Sequence, residues 1–96
     1  MSTTPAFAQI LEELQALHDK KNQDYGTEED PLANVRASED FGIPAWTGAM
    51  IRANDKVTRI KTFCKKGVLA NESLEDSLLD LATYTVIAIQ LYREQK

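Results

Sequence analysis

The sequence predicts an all-α protein, a small helical bundle built on an antiparallel helical hairpin. Apolar residues recur every three or four positions along most of the chain, which is the spacing of one face of an α-helix. Prolines and glycines separate these periodic segments, and no useful stretch alternates apolar and polar residues as a strand would. With 96 residues, 43% hydrophobic and 27% charged, the chain has the size and composition of one domain, 1–96.

The first helix is predicted to begin at Pro5, with Thr4 as its N-cap, and to end at Gly26. Its apolar stripe comprises Phe7, Ile10, Leu11, Leu14 and Leu17. A polar segment follows, broken by glycine and proline, in which a short helix is expected from Pro31 to Asp40 with Asp30 as its cap. We expect the first helix to pack across the hairpin that the later helices form.

Two long helices are predicted to form the hairpin, Pro44 to Lys66 and Glu72 to Gln95. Gly67 is a suitable stop for the first of them, and Asn71 or Ser73 can cap the second. The apolar seam of the first comprises Trp46, Met50, Ala53, Val57, Ile60 and Cys64. Because the connection between the helices is short, we expect them to pack antiparallel.

The last helix is apolar on more sides than one neighbouring helix can cover. Its apolar residues include Leu74, Leu78, Leu81, Tyr84, Val86, Ile89, Leu91 and Tyr92. A helix that is hydrophobic all round must be buried on all sides, and a chain of this length buries a limited share of its surface. We therefore expect a homo-oligomer, a dimer or larger.

Composition argues against several functional classes. The net charge of −4 and the pI near 4.9 argue against direct binding of DNA or RNA. The single cysteine, Cys64, rules out an internal disulfide and fits a reducing cytoplasm. No apolar run approaches the roughly 20 residues that span a bilayer, and the N-terminus lacks the features of a signal peptide. We expect a cytoplasmic protein with no membrane partner.

Charged residues are predicted to line facing sides of the hairpin. On its first helix, four charged residues share one arc at helical spacing: Arg52, Asp55, Lys56 and Arg59. On the last helix, three acids spaced by four form a row: Glu72, Asp76 and Asp80. Antiparallel packing brings this row to the C-terminal half of the basic helix, so Asp80 is expected to meet Lys56 or Arg59.

Two interpretations of these charged residues stay open at the level of sequence. In the structural one, Asp80 is a buried ion-pair partner, and Glu72 and Asp76 are acids favoured by the helix dipole. In the functional one, arginine and lysine neutralise the phosphate oxygens of a nucleotide, and the carboxylates can hold Mg²⁺. Elsewhere, His18 and Cys64 are interpreted as packed core residues rather than as catalytic groups.

The segment KKNQDYG, Lys20 to Gly26, also allows two interpretations. It can be a polar helix end that stops at Gly26. Alternatively, it places four polar side chains at the mouth of a nucleotide pocket: Lys21, Asn22, Asp24 and Tyr25.

Three motifs in order, KNQDYG, RANDKVTRI and ESLEDSLLDLATY, resemble the nucleotide modification associated domain 1 family of small phage and bacterial proteins. The likeness runs from about Lys20 to Tyr92. It implies that the family's first motif falls on Lys21, Asn22, Asp24, Tyr25 and Gly26. It implies that the second falls on Arg52, Asp55, Lys56 and Arg59, and the third on Glu72, Ser73, Asp76, Asp80 and Tyr84. The family name implies an association with nucleotide chemistry in phage genomes.

More distantly, the chain is similar to the MazG-like all-α NTP pyrophosphohydrolases. Those enzymes hold Mg²⁺ with an ExxE pair on one helix and an ExxD pair on a facing helix. Here the first of these helices reads NDKVTR, with Asp55 as its only acid. The likeness implies a Mg²⁺ site made of Asp55, Glu72, Asp76 and Asp80. Fewer acids and more bases, however, suit holding a nucleotide better than cutting it.

The sequence therefore leads to two functional hypotheses, with a plain structural or interaction protein as a third. The first is a non-catalytic, oligomeric nucleotide-binding protein without a cofactor, which in a phage setting would sequester a nucleotide signal in the host cytoplasm, an anti-defence role. Its binding residues would be Lys21, Asn22, Asp24, Tyr25, Arg52, Lys56 and Arg59. The second is a Mg²⁺-dependent nucleotide pyrophosphohydrolase that uses the four carboxylates named above.

Overall fold

The protein is all-helical in the computed structural model, which describes residues 4–25 and 32–95 without the side chains of residues 21–25 and 34. The elements are α1 (Pro5–Tyr25), α2 (Ala33–Arg36), a 3-10 helix (Ala37–Phe41), α3 (Ala45–Lys66) and α4 (Leu74–Glu94). No strand occurs among the described residues, so the all-α class is confirmed. Nor does any helix in this part of the chain combine the length and apolar content needed to cross a membrane.

The chain divides into two compact units, Met1–Asn34 and Val35–Lys96. The first unit contains α1, which begins as expected: the Thr4 hydroxyl accepts a hydrogen bond from the Phe7 N–H at 3.2 Å. The apolar residues Phe7, Ile10 and Leu11 on this helix are exposed. Gly26 and Asp30, the expected stop and cap, lie outside the described residues. The single domain and the packing of the first helix across the hairpin stay predictions.

The short helix expected from Pro31 to Asp40 is two shorter elements, α2 and the 3-10 helix. Gly42 ends the second of them with a φ of 77°, a left-handed conformation that glycine adopts without steric cost. The Ser38 hydroxyl donates to the backbone carbonyls of Ile43, at 3.3 Å, and Pro44, at 3.4 Å. These bonds draw the chain into the tight turn that leads to α3, and tight turns favour 3-10 geometry.

Helices α3 and α4 pack against each other within the second unit. Near one end the ring of Trp46 meets the ring of Tyr92 edge to face, with centroids 6.0 Å apart. Further along, Lys56 on α3 pairs with Asp80 on α4. Because residue numbers rise on one helix as they fall on the other, the two helices run in opposite directions.

Local signals set the helix ends on either side of the connection. Gly67 follows α3 with a φ of 76°, and its N–H donates to the Phe63 carbonyl at 2.7 Å. Ser73 caps α4, since its hydroxyl accepts a hydrogen bond from the Asp76 N–H at 3.0 Å. Both features agree with the sequence-based expectation, which named Ser73 as one of two possible caps.

The buried face of α3 differs from the predicted seam. Ala53 is buried as predicted, together with Ala49, whereas Met50 and Cys64 are exposed. The assignment of Met50 and Cys64 to the core was wrong. The buried face is rotated towards Lys56, whose side chain turns to α4 instead of to solvent. The small side chains on α3 let α4 approach closely, and the exposed Met50 and Cys64 lie beyond the edge of the contact.

Candidate functional site

A largely buried ion-pair cluster joins α3 and α4. The Lys56 ammonium lies 3.0 Å from the Asp80 carboxylate and 3.3 Å from the Glu72 carboxylate. The side chains of Lys56, Asp80 and Glu72 are 18%, 13% and 16% exposed. The expectation that Asp80 meets Lys56 is confirmed, and the same lysine also binds a second acid.

Two arginines lie on the same face of α3 on either side of Lys56. The Nε of Arg59 lies 2.9 Å from Glu72 Oε1, and the Arg59 side chain is 43% exposed. Among the described residues, Glu72 is the ion-pair partner of Arg59. Arg52, two helical turns earlier, is exposed and has no ion pair within the described part of the chain. The face therefore combines a neutralised lysine with guanidinium groups that are open to solvent.

The electrostatic environment keeps Lys56 protonated. Burial alone would lower its pKa, but the hydrogen bonds and charges of Asp80 and Glu72 outweigh burial and raise the pKa above its ordinary value of 10.5. Lys56 is therefore a fixed cation at neutral pH. Its charge and that of Arg59 are matched by the two carboxylates, so these four side chains carry no net charge.

The raised pKa predicts how this cluster responds to pH. A group whose pKa is higher in the folded state stabilises the fold fully below the pKa of the unfolded chain, and this contribution is lost as pH rises through the folded pKa. We expect the difference in free energy of unfolding between the wild type and Lys56→Met to be constant at neutral pH and to shrink above pH 10.5. Urea titrations of both proteins across this range measure it. A difference that stays constant in strong alkali would contradict the pairing, because all other groups titrate in both proteins.

The carboxylates proposed for Mg²⁺ are not gathered into one group in the described part of the structure. Asp55 and Asp76 are exposed, and no three His, Cys, Asp or Glu side chains among the described residues converge as metal ligands. Lys56 occupies the position between Glu72 and Asp80 that a cation would need, and it supplies the positive charge itself. Asp76 lies in the first turn of α4, where its backbone N–H donates a hydrogen bond to the Ser73 hydroxyl.

The polar segment before Gly26 forms the last turns of α1. Lys21, Asn22, Asp24 and Tyr25 are part of this helix, but their side chains lie outside the described residues. Their assignment to a nucleotide pocket stays a prediction.

Two features of the site were not anticipated from the sequence. Glu72 accepts a hydrogen bond from Lys56 and forms an ion pair with Arg59, and so couples the two cations. Ser77 is fully buried on α4, and its hydroxyl has no hydrogen-bond partner within the described structure. Ser77 precedes Asp80 by three residues, so helical spacing alone places it beside the acidic row.

Comparisons of the chain with models of protein families, with characterised protein sequences and with solved structures found no match. The likeness to the nucleotide modification associated domain 1 family therefore depends on the sequence motifs alone.

Proposed function

We propose that this is a small oligomeric protein that binds a phosphorylated nucleotide through the face of α3 that carries Arg52 and Arg59, and that it does not cut it. The observation that supports this most is the exposed guanidinium group of Arg52, on the same face as the partly exposed Arg59 and beside a lysine whose charge is already matched. Guanidinium groups bind phosphate oxygens with paired, charge-assisted hydrogen bonds.

The charged residues of this face would have different roles in nucleotide binding. Arg52 is exposed and without an ion pair in the described part of the chain, so it can turn to a phosphate at little cost. Arg59 is held at its Nε by Glu72 and would offer its terminal amino groups in a fixed orientation. Lys56 would hold Glu72 and Asp80 in place and contribute less to nucleotide binding than the sequence predicted. Lys21, Asn22, Asp24 and Tyr25 remain proposed ligand contacts on the family resemblance.

Nucleotide binding is favoured over nucleotide hydrolysis because the acidic and basic side chains of the site pair with each other. Charge-assisted hydrogen bonds to phosphate need no metal, whereas pyrophosphate hydrolysis by carboxylate-bound Mg²⁺ requires the ion to activate water. No observation on the described residues favours the metal-dependent alternative.

The remaining parts of the proposal come from the sequence. They are a homo-oligomer, the packing of the first helix across the α3–α4 hairpin, and a cytoplasmic location. The motif resemblance adds a phage setting, in which the protein would sequester a host nucleotide signal.

Native mass spectrometry of freshly purified protein, followed by nucleotide titration in EDTA, tests the proposal. We expect a retained or added nucleotide to bind without metal and to be recovered intact, with an affinity that falls as salt rises. Mg²⁺-dependent conversion of a nucleoside triphosphate to its monophosphate, lost in Asp76→Ala, would contradict it.

The variant Asp55→Asn separates the two mechanisms. Asp55 follows Arg52 by three residues and is exposed, so its charge would repel a phosphate bound by the arginine. Phosphate binding by the α3 face predicts that Asp55→Asn strengthens nucleotide affinity in EDTA. If Asp55 were a ligand of Mg²⁺, the same variant would weaken metal-dependent binding.

A further inference from the structure

Helix α4 carries a second apolar stripe that α3 leaves largely uncovered. The residues Leu78, Ala82, Thr85, Ile89 and Tyr92, here named the outer seam, follow each other at spacings of four and three. All of them except Ala82 are exposed. Val86, next to the seam, is exposed as well. Contiguous exposed apolar residues on a folded protein often mark a contact surface, so this face indicates a partner.

Apart from Tyr92, whose ring packs against Trp46 on α3, the outer seam is separate from the face that α4 packs on α3. The residues Ser77, Ala88 and Leu91 are buried, and each precedes a seam residue by one position. One residue corresponds to about 100° of rotation around a helix. Helix α4 therefore carries two parallel stripes, of which α3 covers one.

We propose that the outer seam pairs with the outer seam of a second copy of this chain, with the two α4 helices antiparallel. A stripe that alternates spacings of three and four is the pattern of paired helices that interlock side chains. In the antiparallel register, Leu78 faces Ile89 of the second copy and Ala82 faces Thr85. Small residues meet at the centre and large ones on either side, so the seam is complementary to itself.

Charged residues at the two ends of the outer seam favour antiparallel pairing of the α4 helices. Glu75 extends the seam at the N-terminal end of α4, and Arg93 flanks it at the C-terminal end; both are exposed. Neither makes an ion pair with another described residue. Antiparallel pairing brings Glu75 beside the second copy's Arg93 at both ends of the interface. Parallel pairing would instead place the two Glu75 carboxylates together, which is unfavourable.

This inference deepens the oligomeric part of the proposed function and does not depend on nucleotide binding. It is tested on ligand-free protein, so evidence against pairing of the outer seams can be told apart from evidence against nucleotide binding.

Sedimentation equilibrium of matched variants provides the test. Ile89 on the seam and Ile51 on α3 are similarly exposed, at 47% and 52%, so Ile89→Glu and Ile51→Glu make the same chemical change on two surfaces. We expect a wild-type dimer, a dimer of Ile51→Glu, and a dissociation constant raised by about a hundredfold or more in Ile89→Glu, because an unpaired carboxylate would be buried against Leu78 of the second copy. Circular dichroism should show both variants folded.

A charge exchange tests the direction of pairing. Glu75→Arg should weaken the dimer, and adding Arg93→Glu to the same chain should restore it, since the ion pairs are then reversed. A wild-type monomer at tens of micromolar, equal dimerisation of Ile89→Glu and Ile51→Glu, or failure of the double exchange to restore pairing would overturn the proposal.

Discussion

Replacing Lys56 with methionine is expected to lower the free energy of unfolding by about 2–4 kcal/mol. The change keeps the aliphatic stem but removes the ammonium that lies 3.0 Å from Asp80 and 3.3 Å from Glu72. Two largely buried carboxylates would then face each other without this cation, and the loss of one partner from a buried pair is costly. Urea unfolding at one fixed protein concentration measures the change, because oligomerisation also affects apparent stability.

Two further variants of the same cluster show how large the effect of Lys56→Met is by comparison. Arg59→Met should cost less than about 1 kcal/mol, since the Arg59 side chain is 43% exposed and its ion pair is screened by solvent. Asp80→Ala should cost less than Lys56→Met, because Glu72 still accepts from the ammonium. A Lys56→Met variant no less stable than Arg59→Met would show that the cluster contributes little to folding.

Gly48→Ala is expected to destabilise the protein by about 1–2 kcal/mol net. Alanine in place of glycine normally stabilises a helix by up to about 1 kcal/mol. At this buried position, however, an added Cβ would lie 2.7 Å from the Ser38 Cβ and 3.1 Å from the Val35 carbonyl oxygen. The 3-10 helix would have to move away from α3, which would strain the Ser38 hydrogen bonds to the turn.

A double-mutant cycle with Ser38→Gly separates the clash from helix propensity. In that background the contact with the Ser38 side chain is gone and only the Val35 carbonyl oxygen stays close, so Gly48→Ala should cost clearly less than in the wild type. Thermal unfolding of the four proteins measures the coupling. A gain of stability for Gly48→Ala in the wild-type background would mean that the 3-10 helix does not pack closely on α3.

Much of the helical frame could be predicted because its signals are local. Thr4, Ser73 and Gly67 end or begin helices through hydrogen bonds within four residues along the chain. The pairing of Lys56 with Asp80 could also be predicted, since helical spacing and a short connection bring these residues to facing surfaces.

The remaining features depend on how far one helix is rotated against another, which periodicity does not determine. Met50 and Cys64 fit the same seam as Ala53 at spacings of three and four, yet Ala53 is buried and these two residues are exposed. The double role of Glu72 and the approach of Ser38 to Gly48 arise from the same rotation and from the path of the turn, which its glycine and proline do not determine. The rotation also decides which cations stay open to a ligand, so the roles of Lys56 and Arg52 could not be separated beforehand.

Isothermal titration of one nucleoside triphosphate in EDTA, compared between Arg52→Ala and Lys61→Ala, tests most directly whether the open arginines bind phosphate. Both residues are exposed cations on α3, but nine residues of helix place them on opposite faces. We expect Arg52→Ala to weaken binding about tenfold to a hundredfold, as for the loss of a charged hydrogen bond, while Lys61→Ala stays close to the wild type. Equal effects of the two variants, or no measurable binding by the wild type, would contradict a phosphate site at Arg52.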